Sequence, residues 1–402
     1  MLLKKIIQNY QLAIQEKSAF SHHLSFHWKY FHDQFTLSNN PDDWATFRKK
    51  GFSKGLDCTI GQKFTKQDSL KILYDIIKKE LGRFSYLIEE SPIGCPDASQ
   101  IDGQLVSESS CNFAYYAFRL LTETHIPIEK PIKILEIGSG YGGLARTLKQ
   151  LFPNAIIYLF DLPHALALAS YYINKNFPNL NAFYFSNFLE NGGIIPPSYD
   201  AYFLPGWAIE KMPDASIDLV INTCSMMEMT GDIIRYYFDH IHRIINKNGF
   251  FYCVNRYTKQ IGQEPICIGD YPFDSQWKLR FSAPKWDAPH IHELLLQRES
   301  SIKDPNFQPT IQQLNKIGKL ITALRNKAIK VLKIKDSSDG IIIPTKAIIF
   351  GCIHDVILIF NQTTNKIYVK KIKIIKMNDK MAIIESKFRL EELIVLWEEI
   401  SV

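Results

Sequence analysis

One short stretch limits what this chain can fold into: residues 134–144, ILEIGSGYGGL. Its apolar first half reads as a strand and its glycines as a tight loop. The GLARTLKQLF that follows reads as a helix, stopped by Pro153. Gly138, Gly140 and Gly143 satisfy the G-x-G-x-x-G spacing of a dinucleotide loop. A strand that turns through glycines directly into a helix is the first half of a βαβ unit. It points to a parallel sheet with right-handed crossovers.

From Pro131 onward the sequence keeps that rhythm. IKILEIG, AIIYLFD, AYFL, IDLVINT and FFYCVNRY read as strands. Between them, GLARTLKQLF, HALALASYYINKNF and DIIRYYFDHIHRII read as helices, ended by Pro153, Pro178 and the turn NKNG. The expected fold is α/β, a Rossmann-like doubly wound seven-stranded sheet. WKLRFSA and IHELLLQRE would add an antiparallel pair at one edge.

The flanks read differently. Residues 1–125 are mostly helical: MLLKKIIQNYQLAIQEK is amphipathic, the segment after Lys66 has helical spacing with Asp68 or Ser69 as its cap, and SESSCNFAYYAFRLLTE is another helix. Residues 301–402 hold a long helix from Phe307, strand-like runs with turns at NQTTN and MNDK, and a closing helix RLEELIVLWEEI. The expected division is a helical N-terminal region over 1–125, acting as acceptor cap or dimerisation element, a central domain over 126–300, and an α+β C-terminal appendage over 301–402.

Composition excludes several classes. With 46% hydrophobic and 22% charged residues, the chain reads as an ordinary globular protein. It contains no run of eighteen apolar residues, so no membrane span is expected. The seven cysteines are scattered without a C-x-x-C pair, which favours free thiols in a reducing, cytoplasmic setting over a thiolate zinc site. The net charge of +6 is concentrated at the end: residues 301–402 carry 17 basic and 10 acidic side chains, leaving the rest near neutral. That surplus reads as solvated lysines, with an anionic surface or a nucleic acid as the alternative, and no nucleic-acid partner is expected.

The residues around the glycine loop choose among its ligands. A pyrophosphate favours helix N–H groups and disfavours a neighbouring carboxylate, and Glu136 stands two residues before Gly138. An aminoacyl sulfonium carries positive charge and suits that carboxylate. Asp161 ends the next strand, where an acid accepts from both hydroxyls of a ribose, a role common to nicotinamide and S-adenosylmethionine sites.

Taken in order, ILEIGSGYGG, FDLP, LPGWAIEKMPDASIDLVINT and NGFFYCVNRY resemble the motifs of class I S-adenosylmethionine-dependent methyltransferases. More narrowly, FDLPHALALASYYI, FLPGW, INTCSMMEM and VNRY resemble the sugar O-methyltransferases found with bacterial polysaccharide and glycoconjugate genes. The resemblance covers residues 131–298, and FRKKGFSKGLD and SSCNFAYYAF are compatible with that family's helical N-terminal region. It implies an O-methyltransferase using S-adenosyl-L-methionine, with S-adenosyl-L-homocysteine as product. The acceptor would be a hydroxyl of a sugar, glycan or glycosylated small molecule. The sequence leaves the oligomeric state open, a homo-oligomer formed through the tail being one option beside a specificity lid or a membrane-surface contact.

Carried onto this sequence, the resemblance implies that Glu136, Gly138, Ser139, Gly140 and Gly142 surround the methionine part of the cofactor. Asp161 would bind the ribose, with Leu162, Gly206 and Trp207 near the adenine; Trp207 stands where an acid is usual, and it is either a stacking group or a core residue. Asn222 and Thr223 would face the cofactor. Met227, Glu228, Asn255 and Arg256 would face the acceptor; Glu228 is alternatively a first-turn helix carboxylate, and Arg256 either holds a carboxylate or phosphate or pairs with Glu228 or Asp161.

A sugar hydroxyl has a high pKa, so a general base assists its methylation by roughly 10²–10⁴-fold. The candidates are His292, Glu228, His290 and then Glu293; period two would put His290 and His292 on one side of a strand, and either is alternatively a satisfied structural histidine. No metal is indicated: His23 and His27 have helical spacing but lack a third ligand. The alternatives are a methyltransferase on a lipid, phenol or amine, a nicotinamide-dependent oxidoreductase, and a non-catalytic scaffold.

Overall fold

The computed structural model describes residues 2–16, 25, 28–29, 37–49, 67–261, 264–288, 290–299 and 304–325, together with strands at 340–349, 352–361, 366–371, 377–378, 381–384 and 393–396. His23, His27 and the part of FRKKGFSKGLD beyond Lys49 lie outside the described residues. The chain divides into two compact units, Met1–Phe251 and Tyr252–Val402.

In the first unit, α1 (Leu2–Gln15) buries Ile6, Asn9 and Ala13, one helical face by spacing. The short helix α2 (Pro41–Ala45) starts from an Asn40 cap with proline at its first position. Helix α3 (Gln67–Leu81) begins ahead of Asp68 and Ser69, so those residues lie in its first turn and not at the cap. The strands β1 (Ser99–Ile101) and β2 (Gln104–Val106) form a hairpin that the sequence pattern did not suggest. Its turn is Asp102-Gly103, both with positive φ, as a two-residue hairpin turn requires. Helix α4 (Glu108–Thr124) starts at Ser107, whose hydroxyl and that of Ser110 form a reciprocal capping box.

The central sheet of this unit holds β3 (Lys133–Ile137), β4 (Ile156–Asp161), β5 (Ala182–Tyr184), β6 (Ala201–Pro205) and β7 (Ile217–Thr223). They are parallel, in the order β5-β6-β4-β3-β7. The helices α5 (Gly143–Leu151), α6 (Pro163–Asn176), α7 (Phe185–Glu190) and α8 (Gly231–Ile244) alternate with them. Strands covered on both faces read as continuous apolar runs, and β6 is buried throughout. Strand β5 is too short to show in the pattern, and the strand count departs from the expected seven. The order reverses at β3, with β4 on one side and β7 on the other. The carboxyl ends of β3 and β7 therefore frame the crevice where such sheets bind ligands.

Strand β8 (Ile245–Arg256) begins directly after α8, so NKNG belongs to a strand; Asn248 turns the backbone there with φ +66°. The division between the units falls inside this strand. In the second unit, β9 (Thr258–Ile261) and β10 (Glu264–Cys267) form a hairpin. Strands β11 (Trp277–Pro284) and β12 (Ile291–Arg298) pair antiparallel, as expected. They are not an edge pair, because β13 (Gly340–Ile349) joins β11 at Ser282 and continues into β14 (Cys352–Asn361) and β15 (Lys366–Lys371). Helix α9 spans Phe307–Arg325. Three short strands, β16 (Met377–Asn378), β17 (Met381–Ile384) and β18 (Leu393–Leu396), form a separate sheet. The closing helix expected over RLEELIVLWEEI does not form at its described residues, because Leu393–Leu396 pairs with Met381–Ile384.

Candidate active site

The glycine loop leaves the carboxyl end of β3. Gly138, Gly140 and Gly142 have φ of 76°, 54° and 87°, a region that side-chain-bearing residues avoid. At Gly138 there is a second reason for glycine, since a Cβ would overlap the Ser225 hydroxyl. Gly143 opens α5 packed against Phe113, leaving no room for a methyl group. The loop's N–H groups are largely committed inside the protein. Gly138 donates to Phe160 O at 2.8 Å, Gly142 to Ser139 O at 2.9 Å, and Gly140 to Asp161 Oδ2 at 2.7 Å. A pyrophosphate would need such groups for itself.

Two acids stand under this loop. Glu136 is 2% exposed, and its Oε2 is buried without a hydrogen-bond partner. Burial, and then the charge of Asp161, push its carboxyl well above the ordinary range. Asp161 accepts from Gly140 N–H through Oδ2 and from Leu162 N–H through Oδ1, each at 2.7 Å. Burial pushes its pKa up to about 7 against the pull of those two N–H groups and the Ser139 hydroxyl, and Glu228 adds to the rise. A buried carboxylate oxygen left without a donor is rare in a folded protein and asks for a donor or a cation. A nearby ammonium would satisfy Glu136, and each Asp161 oxygen keeps a lone pair for a hydroxyl. The residues present fit an aminoacyl nucleoside of positive charge.

Other expected residues of this unit take narrower parts. Asn222 is fully buried. Its amide donates to Ile137 O at 2.9 Å, and its Oδ1 accepts from Met226 N–H at 3.2 Å. It ties β7 to the end of β3 and so positions the loop, in place of the cofactor contact expected of it. Ser225, which sequence reasoning missed, donates to the same carbonyl at 3.1 Å. Its only signal was its place after Asn222, since the packing on Gly138 is long-range. Cys224, at the end of β7, has φ +59°, a strained conformation typical of functional turns. Thr223 and Met227 are buried, and Glu228 ends a half-turn (Met226–Glu228) close enough for Asp161 to feel its charge. Leu162 caps α6. Gly206 is buried and opens a 3₁₀ turn, and Trp207 is half-buried with its ring edge-on to Phe185 at 6.3 Å and its carbonyl bound by the Tyr236 hydroxyl at 3.0 Å.

In the second unit the proposed bases look different. His292 is 1% exposed, with Nε2 at 2.8 Å from Ser282 Oγ and Nδ1 at 2.9 Å from Tyr257 Oη. Burial lowers its pKa to about 3. Both ring nitrogens are engaged, so His292 is a satisfied structural histidine and not the base expected from the sequence. His290 precedes β12 in a turn, so period two does not relate it to His292; its carbonyl accepts from Tyr257 N–H at 3.3 Å. Glu293 is fully buried and accepts from the Tyr252 hydroxyl at 2.7 Å. Asn255 is fully buried too, its amide donating to Cys253 Sγ at 3.2 Å. Arg256 is half-buried, and its Nε is buried without a partner.

Among the described residues no group of three or more His, Cys, Asp or Glu could hold a metal ion, and no helix is long and apolar enough to cross a membrane. Cys95, Cys111, Cys224, Cys253 and Cys267 are free thiols.

No family model matches the chain, and no curated protein matches it. Solved structures similar to it include a SAM-dependent methyltransferase from Aquifex aeolicus, with a TM-score of 0.31 and 11% identity over 45% of this chain and 89% of that one. Another is phosphoethanolamine N-methyltransferase 1 from Haemonchus contortus, in complex with phosphoethanolamine and S-adenosylhomocysteine, with a TM-score of 0.31 and 13% identity over 65% of this chain and 54% of that one. A third is the mitomycin 7-O-methyltransferase, with a TM-score of 0.28 and 15% identity over 47% of this chain and 57% of that one. At these scores and identities nothing about cofactor or acceptor follows for this chain.

Proposed function

We propose that this chain is an S-adenosyl-L-methionine-dependent O-methyltransferase acting on a hydroxyl of a sugar or glycosylated small molecule. The observation that carries the reading is the buried, unpartnered Oε2 of Glu136 beneath the glycine turn. It suits a ligand with positive charge and repels a pyrophosphate. When bound, the cofactor supplies a methyl group on a positively charged sulfur, poised for in-line displacement. Glu136 would hold its ammonium, Asp161 its ribose hydroxyls, and Leu162, Gly206 and Trp207 would border its adenine. The loop of Gly138, Ser139, Gly140 and Gly142 would pass close enough to exclude water. Glu228 is the candidate base, since it lies near enough for Asp161 to feel its charge. Holding the acceptor oxygen in a dry site supplies most of the acceleration in such a transfer. The sugar acceptor rests on the motif resemblance alone, as do the roles of residues 1–125 as acceptor cap and 126–300 as catalytic domain.

Calorimetry on the full chain with S-adenosylmethionine, S-adenosylhomocysteine and NAD tests the reading. Binding of the first two without NAD is the expected result. NAD binding without the sulfonium ligand would overturn it. Mass spectrometry of glycans from a strain lacking the gene tests the acceptor, the expected change being loss of one methyl increment on a sugar.

A further inference from the structure

Among the described residues of the second unit, the guanidinium of Arg256 is a charged group that the fold does not pair. Its Nε is buried with no hydrogen-bond partner, and among the described residues no acid pairs with it. A guanidinium N–H out of water without an acceptor is costly, and native proteins retain one where something outside the fold completes it.

The topology brings further positive charge to the same place. Arg256 is the last residue of β8, and β8 neighbours β12. The residue after it, Tyr257, donates its N–H to His290 O at 3.3 Å, which fixes the end of β8 beside the start of β12. Strand β11 ends at the start of β12 too, where Pro284 pairs with His292. Lys285 N–H then donates to Ile291 O at 2.8 Å. Arg256, Lys285 and His290 therefore stand at one end of neighbouring strands. Lys285 is 1% exposed, and its ammonium pairs with Asp287. A lysine buried to that degree is rare without a fixed role. Of these groups, Arg256 and Lys285 are permanent cations, Asp287 is the carboxylate that pairs with Lys285, and His290 stands at the adjoining turn.

We propose that Arg256 and Lys285 form a binding site for an anionic group, a carboxylate or phosphate ester, carried by a small polar ligand. Arg256 donates the planar fork that such groups accept, and Lys285 supplies a point charge that Asp287 orients. His290, at the mouth of the same strand ends, supplies a further donor. That this ligand is the methyl acceptor rests on the methyltransferase reading; the anion site does not.

The test is equilibrium binding of glucuronate, glucose 6-phosphate and uncharged glucose to the full chain, by calorimetry or ligand-observed NMR. The expected result is that at least one acidic sugar binds about tenfold or more tightly than glucose, and which one does so separates the carboxylate from the phosphate. Arg256→Gln should remove that preference, and Arg256→Lys should keep only part of it, because the ammonium lacks the fork. Lys285→Gln should weaken the acidic ligand by less than Arg256→Gln. Equal binding of acidic and neutral sugars, absence of binding by all three, or a preference that survives Arg256→Gln would overturn the proposal. S-adenosylhomocysteine binding is read on the same samples, and a thermal melt of each variant shows that it is folded. Loss of cofactor binding in the wild type with the acidic preference intact would sink the methyltransferase reading and leave the anion site standing.

Discussion

Two buried titratable side chains, one in each unit, are treated in opposite ways. At the end of β3 in the first unit, Glu136 is enclosed with an oxygen that meets no donor, next to Asp161, and both carboxyls are pushed upward. At the start of β12 in the second unit, His292 is enclosed to the same degree, yet both ring nitrogens are matched by hydroxyls. Burial alone therefore does not distinguish a ligand site from structure. The distinction lies in whether the fold completes the hydrogen bonds of the buried group. The fold leaves Glu136 with an unmatched oxygen and satisfies His292 at both nitrogens.

That contrast can be broken most severely at the loop. Gly138→Ala sets a Cβ against Ser225 at a φ of 76°, and the steric and backbone terms together amount to about 2–5 kcal/mol. Chemical denaturation should show that loss together with loss of cofactor binding. An unchanged midpoint would mean that the loop is not built as described.

The next effect is a pH dependence of opposite sign in the two regions. The folded pKa of Glu136 lies above its unfolded value, so the cofactor-free protein loses stability as pH rises from the usual carboxylate range toward the raised one. Glu136→Gln should therefore gain stability relative to wild type as pH rises, by up to about 1.4 kcal/mol per pH unit in that window, while binding S-adenosylmethionine more weakly. Thermal melts of both proteins from pH 5 to pH 8 measure it, and a gain that grows toward acid would contradict the assignment.

For His292 the folded pKa lies below the unfolded one. Its stabilising contribution is present above the unfolded value of about 6.5 and is lost as pH falls toward about 3. His292→Gln should cost about 1–3 kcal/mol near neutrality through the hydroxyls of Ser282 and Tyr257. It should leave the shape of the pH–rate profile unchanged, because the ring holds no proton of the reaction. Loss of the basic limb of that profile in the variant would restore His292 as a base.

The smallest effect belongs to the surface. Lys71 bridges Asp75 and Asp102, all of them well exposed. Lys71→Ala should leave the denaturation midpoint nearly unchanged and cofactor affinity unchanged. A larger change in either would show that the β1–β2 hairpin, where Asp102 stands, is coupled to the site.

Much of this molecule was legible without coordinates. Strands β3, β4, β6 and β7 and helices α5, α6 and α8 follow from apolar periodicity and from proline and glycine stops, because each of those elements makes its own backbone hydrogen bonds or shows its burial in its pattern. The loop's three positive-φ glycines, the acid before them and the acid ending β4 are likewise local features. The sequence was silent where pairing is short or distant. Strand β5 has three residues, too few for a period, and β18 replaced an expected helix because its partner β17 supplies what helical spacing could not outweigh.

By itself, then, the sequence determined that a glycine loop with acids around it ends the first strand of a parallel sheet, since chain order and spacing carry that information. Only the tertiary structure decided what each buried polar group does. It turned Asn222 and Ser225 toward the Ile137 carbonyl, closed Ser282 and Tyr257 around His292, and left Glu136 and Arg256 each with an atom unmatched. Hydrogen-bond satisfaction is a property of neighbours far apart in the chain, and no local pattern records it.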